Sequence, residues 1–139
     1  MPKKIVFGDL TRQGFPFYGG NITYGCKLES KGERIRLKAQ YFNSPLLVAD
    51  LDGKRKGIIA FAPYELDLGY LEKGTHQLEL TAFGNRYPTF GQLHNCDKNY
   101  SWFASCSWRT TGDRYAEEYQ LKEIGIQVGP ELLYEETER

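Results

Sequence analysis

The 139-residue sequence holds one methionine, three cysteines and no excess of either charge, eighteen Lys and Arg standing against eighteen Asp and Glu. Each shortage excludes something. Without a basic stripe to neutralise successive phosphates, nucleic acid is not an expected partner. No apolar run approaches the roughly 20 residues needed to cross a bilayer. The start, Met1-Pro2-Lys3-Lys4-Ile5-Val6-Phe7, has no apolar stretch of the secretory kind. The chain therefore reads as soluble, with no membrane partner. Cys26, Cys96 and Cys106 are odd in number and sparse, unlike the disulfide framework of a small secreted domain. That slightly favours a reducing, cytoplasmic setting and leaves a Cys96 to Cys106 bridge open. No repeat, linker or catalytic constellation stands out.

What is present points to strands. Ten Tyr and eight Phe against one Met favour rings over flexible aliphatics as core filling, and fifteen Gly punctuate the chain. In 33–40, Ile35, Leu37 and Ala39 alternate with Arg34, Arg36 and Lys38, the pattern of a strand with one dry and one wet face. The run 21–29 is a further β-compatible run, joined to it by Ser30-Lys31-Gly32. Strands at 46–51 and 54–61 meet at Asp52-Gly53, which supplies the positive-φ positions of a tight hairpin turn. After Pro63, the segment 64–73 is too interrupted for a long helix. Gly74 then returns the chain to a strand over 75–83, where Leu78, Leu80 and Ala82 share a face. Residues 84–100 read as a long loop or pair of turns, 101–110 as a strand, 112–117 as a turn, and 119–128 and 132–134 as closing strands around Gly129-Pro130. About eight antiparallel strands, with turn signals at the spacing of sandwiches, predict an all-β fold: one β-sandwich or jelly-roll domain over 1–139.

The order Gln13-Gly14-Phe15-Pro16-Phe17-Tyr18-Gly19-Gly20, then Gly53, Gly57, Pro63, Asp67, Gly74 and Leu78-Glu79-Leu80, then Gly84-Asn85-Arg86 and Gly91-Gln92-Leu93-His94-Asn95, resembles a known pattern. It is similar to the galactose-binding-like β-jelly-roll modules of bacterial glycoside hydrolases of the β-galactosidase and rhamnosidase kind, from about Leu10 to Tyr134. The resemblance implies a non-catalytic accessory domain, a piece of a longer enzyme, whose partners are carbohydrate and the parent's catalytic domain.

Glycoside hydrolysis needs two carboxyl groups flanking the scissile bond. Here Asp50, Asp52, Asp67, Glu79, Glu117 and Glu118 are scattered, and each reads as a surface or turn group. A small free-standing hydrolase and a pure interaction domain are the alternatives to an accessory module. His94, Cys96 and Cys106 fall short of the four ligands of a structural zinc site, so no metal is expected, although calcium in an Asp-rich turn stays open. Sugar binding asks for flat aromatic faces ringed by planar polar groups. Tyr100, Trp102 and Trp108 can supply the faces, and Arg86, His94, Asn85 and Asn95 the polar groups, with the two indoles on one side of an alternating strand. Phe15, Phe17 and Tyr18, between glycines, form the interface candidate.

Overall fold

The structure, a computed structural model, describes residues 4–90, 93–96 and 107–135. Within them lie eleven strands, a short 310 turn, η1 (Leu10–Gln13), and a four-residue helix, α1 (Tyr87–Phe90). The fold is a β-sandwich. One layer runs in the order β1 (Ile22–Ser30), β7 (Gly74–Ala82), β4 (Leu47–Leu51), β5 (Lys54–Ile59), with every neighbour antiparallel. The other runs β11 (Glu131–Glu135), β2 (Glu33–Lys38), β6 (Glu65–Leu71). The two chain segments that pair as β2 and β11 pair again further along, as β3 (Tyr41–Asn43) and β10 (Gly125–Val128). A separate ribbon joins β8 (Leu93–Asn95) to β9 (Tyr115–Gln120). No helix among the described residues is long and apolar enough to cross a membrane.

One core lies between the layers, and among the described residues its buried members are aliphatic apart from Tyr24, not the rings that the Tyr and Phe content favoured. Tyr24 and Leu28 on β1, Leu78, Leu80 and Ala82 on β7, Leu47, Ala49 and Leu51 on β4, and Ile59 on β5 face Ile35 and Leu37 on β2, Leu68 and Leu71 on β6, and Ile126 on β10. The alternation in β2 resolves as expected, its cations meeting acids on the wet face. Arg34 pairs with Asp67, Arg36 with Glu65 and Glu135, and Lys38 with Glu65. The Arg34 guanidinium and the Gly69 N–H together hold the Asp67 carboxyl below its ordinary value.

Asp52 and Gly53 both have positive φ, 49° and 76°, so the tight turn between β4 and β5 forms as its sequence predicts. A clamp fixes it. Asp52 Oδ1 accepts the Gln77 N–H at 2.8 Å, and Oδ2 lies 2.7 Å from His76 Nδ1, while His76 Nε2 lies 2.9 Å from the Glu72 carbonyl oxygen. Both partners of the ring are acceptors, and only the imidazolium donates from both nitrogens. The Asp52 carboxylate, then the Glu72 carbonyl, raise the His76 pKa above 6.5, and His76, then the Gln77 N–H, lower that of Asp52 below 3.8. The stability His76 contributes is fully present below its unfolded value and is lost as pH rises through the raised folded one. The contribution of Asp52 is present above its unfolded value and is lost as pH falls through the lowered one. The Tm difference between wild type and His76→Gln is thus expected to be largest near about pH 5 and to shrink toward alkaline pH, as thermal melts across a pH series will show.

Several expectations need correcting. Residues 65–71 are a strand, β6, whose period slips at a bulge. Gly69, at φ 84°, sits where the pairing with β2 shifts between Ile35 and Arg36, so Leu68 and Leu71 both reach the core although their spacing is odd. The stretch after Gly84, which reads as a long loop or a pair of turns, contains α1 and β8. Residues 107–110 are not strand, and residues 101–106 lie outside the described residues. The turn before β9 ends at Arg114, and the closing run 119–128 is broken by an irregular segment, 121–124, between β9 and β10. Together with β3, which the turn signals did not mark, these pieces give eleven strands among the described residues where about eight were expected.

Candidate functional site

The site is built where the N-terminal arm crosses the loop that follows β7. Asp9 caps η1 by accepting the Thr11 N–H at 3.0 Å, and the arm then bonds along β10, with Gly8 N–H donating to Ile126 O at 2.9 Å and Leu10 N–H to Ile124 O at 3.3 Å. Phe7 stacks on Tyr24, whose hydroxyl accepts the Ile126 N–H at 3.2 Å, and burial pushes the Tyr24 pKa up. Beyond Phe15, which packs on the core, the chain turns through Gly19 and Gly20 beneath the 83–85 loop. Asn21 Oδ1 accepts the Gly84 N–H at 3.0 Å, and the Tyr18 hydroxyl donates to the Asn21 carbonyl at 3.0 Å. A Cβ on Gly84 would stand 2.1 Å from the Gly19 carbonyl oxygen, and one on Gly19 would stand 2.3 Å from Thr89 Oγ1, so glycine is required on both strands of this crossing.

The crossing brings Phe17 to an aromatic shelf. The Phe17 and Tyr119 rings meet edge to face with centroids 5.2 Å apart, and His94 lies against Tyr119 at 4.0 Å and Tyr115 at 5.5 Å. His94 is oriented by Nδ1, 2.9 Å from the Ala116 carbonyl oxygen. Phe17, Tyr119, Trp108 and Thr89 line a hollow of about 420 Å³, the three rings being 47%, 51% and 53% exposed. Two expectations, Phe17 as an interface residue and Trp108 as a sugar platform, thus converge on one surface. Tyr119 was missed because neighbouring Glu117 and Glu118 read only as a solvated edge.

The other site residues are placed differently. Trp108 sits in a bend, so the alternation that set two indoles on one side of a strand does not apply to it; Trp102 and Tyr100 lie outside the described residues. Asn85 Oδ1 accepts the Tyr87 N–H at 2.9 Å, closing the turn that leads into α1, and the residue lines a different hollow. Arg86 is exposed at the start of the same turn. Asn95 is buried, its carbonyl accepting from the Gln120 amide, so it supports the ribbon instead of facing a ligand. Tyr18 is exposed and spends its hydroxyl on Asn21.

Beyond α1 lies a larger cleft of about 740 Å³, bounded by the end of β3, the Asn85 to Pro88 turn and residues 121–124. Its size falls within the range of small-molecule sites.

The carboxylates are spread over the surface. Asp50 meets Arg55 at 3.2 Å, Asp52 holds His76 and Asp67 holds Arg34, while Glu79, Glu117 and Glu118 are exposed. Both acids of the Asp50 to Asp52 turn are therefore engaged by protein groups. Among the described residues no three His, Cys, Asp or Glu side chains gather as metal ligands. Cys26 is half-buried, its thiol pKa raised by that burial, and Cys96 is exposed; both are free thiols.

No protein-family model matches the sequence, and no curated protein is similar to it. Among solved structures, a rhamnosidase from Novosphingobium sp. PP1Y superposes on 86% of this chain with a TM-score of 0.59 and 20% identity. A GH2 beta-galacturonidase from Eisenbergiella tayi, bound to galacturonate, aligns with 55% of the chain at 28% identity and a TM-score of 0.46. This chain spans 11% of the rhamnosidase chain and 14% of the galacturonidase chain. Its β-sandwich thus shares the fold of a small part of the rhamnosidase chain.

Proposed function

We propose that this chain is a non-catalytic β-sandwich module of a larger glycoside hydrolase and that its aromatic shelf meets carbohydrate. The single observation that carries the reading is the superposition of nearly the whole chain on a ninth of a rhamnosidase. The shelf supplies the chemistry. Exposed Phe17, Tyr119 and Trp108 offer apolar faces to the C–H side of a pyranose, and His94 and Thr89 stand beside them for hydroxyls. The scattered, paired carboxylates favour binding over hydrolysis.

Titration with rhamnosides, galactosides and longer oligosaccharides, followed by tryptophan fluorescence, tests this directly. A saturable change that disappears in Trp108→Ala is expected, together with no turnover of chromogenic glycosides. A folded chain whose indole is open to a soluble quencher yet gives no response to any sugar refutes the carbohydrate role.

A second reading is favoured by the same arm. Phe17 and Tyr18 are both substantially exposed, which suits a face that packs against the parent's catalytic domain. On that reading the isolated chain associates through this surface, and Phe17→Ser returns it to a monomer on size-exclusion chromatography.

A further inference from the structure

We infer that the cleft on the far side of α1 is a second ligand site, built for the vicinal hydroxyls of an uncharged sugar ring. The inference rests on the module reading and adds to it a place and a ligand chemistry.

Three segments distant in sequence converge there. β3 ends with Phe42 and Asn43, the loop after β7 brings Asn85 and Tyr87, and the break between β9 and β10 brings Lys122 and Glu123. Each polar group is positioned yet retains capacity. Glu123 Oε2 accepts from the Tyr41 hydroxyl and the Asn43 amide, both at 3.4 Å, the long limit for such bonds, and no described residue donates to Oε1. Lys122 Nζ lies 4.7 Å from the Tyr87 ring centre and forms no ion pair with any described carboxylate, Glu123 beside it included. The walls are stiff, since Asn85 caps the turn, Asn43 is paired to Gly125 in the ladder, and prolines 45 and 88 line the rim.

The charge pattern selects the ligand. One ammonium and one carboxylate sum to zero, so a uronate or phosphate that gains from Lys122 is repelled by Glu123. Adjacent hydroxyls satisfy both, one accepting from Lys122 and the other donating to Glu123, with the Asn43 and Asn85 amides able to donate or accept. Phe42 supplies apolar surface for the ring's C–H face.

Calorimetry and NMR titration of the whole chain with methyl rhamnoside, methyl galactoside and galacturonate provide the test, read on wild type, Glu123→Gln, Lys122→Met and Trp108→Ala. Glu123 and Lys122 are exposed, so their variants are expected to melt as wild type does. The expected result is that each cleft variant weakens the preferred neutral sugar at least tenfold, that the Asn43 and Asn85 amide resonances shift on binding, and that galacturonate binds more weakly than galactoside. If sugar binds but only Trp108→Ala loses it, the cleft assignment is wrong and the shelf reading survives. If galacturonate binds as well as galactoside, the neutral-ligand argument fails. If no sugar binds the folded wild type, both the cleft and the carbohydrate reading fall.

Discussion

Replacing Gly84 with alanine is expected to cost about 3 kcal/mol or to prevent folding, as overpacking against parts that cannot move does. The added methyl would lie 2.1 Å from the Gly19 carbonyl oxygen and 2.4 Å from that of Gly20. Both are backbone atoms, so relief requires separating the two strands of the crossing. Separation would also draw Phe17 away from Tyr119 and open the shelf, so any surviving protein should lose sugar binding along with stability. Gly53→Ala is the control. Its Cβ would meet nothing within 4 Å, but its φ of 76° carries the left-handed penalty of about 1 kcal/mol. Urea unfolding midpoints distinguish the two, and equal losses would mean that close approach does not govern the crossing.

Leu80→Ala is expected to cost about 3 to 4 kcal/mol. Leu80 is 0% exposed on β7, which is hydrogen-bonded on both sides, opposite Tyr24 of β1 and Ala49 of β4. A cavity there cannot collapse without shifting two ladders. Leu133→Ala on the exposed side of β11 should stay within about 0.5 kcal/mol, because little apolar surface is buried there. Comparable losses at the two positions would show that the sandwich does not depend on its central layer contact.

These contrasts explain what was legible beforehand. The Asp52-Gly53 hairpin and the faces of β2 and β7 rest on nearest-neighbour chemistry, namely positive φ at a two-residue turn and a period of two, so they read directly from the sequence. β6 did not, because the bulge at Gly69 reverses the phase between Leu68 and Leu71, and a pattern that changes phase midway resembles no pattern. β9 did not, because none of its side chains is fully buried and three in a row, Glu117 to Tyr119, are exposed, leaving no alternation.

The candidate site divides along the same line. Trp108 and His94 were conspicuous as residue types, whereas Tyr119, which joins them, had no local signal. In the cleft, Asn43 and Glu123 stand 80 positions apart in the chain and meet only because β3 pairs with β10. Long-range pairing of this kind leaves no trace in spacing. Asn85 borders a hollow other than the shelf, and its Oδ1 holds the Tyr87 N–H at the start of α1.

β5 ends its layer, with one side of its backbone not paired into that sheet, and it opens with Lys54, Arg55 and Lys56. Two copies approaching edge to edge would bring six cations into register and repel before a shared ladder could form. Filament growth through this border is thereby discouraged, while β1 at the opposite end of the layer carries no such run of cations.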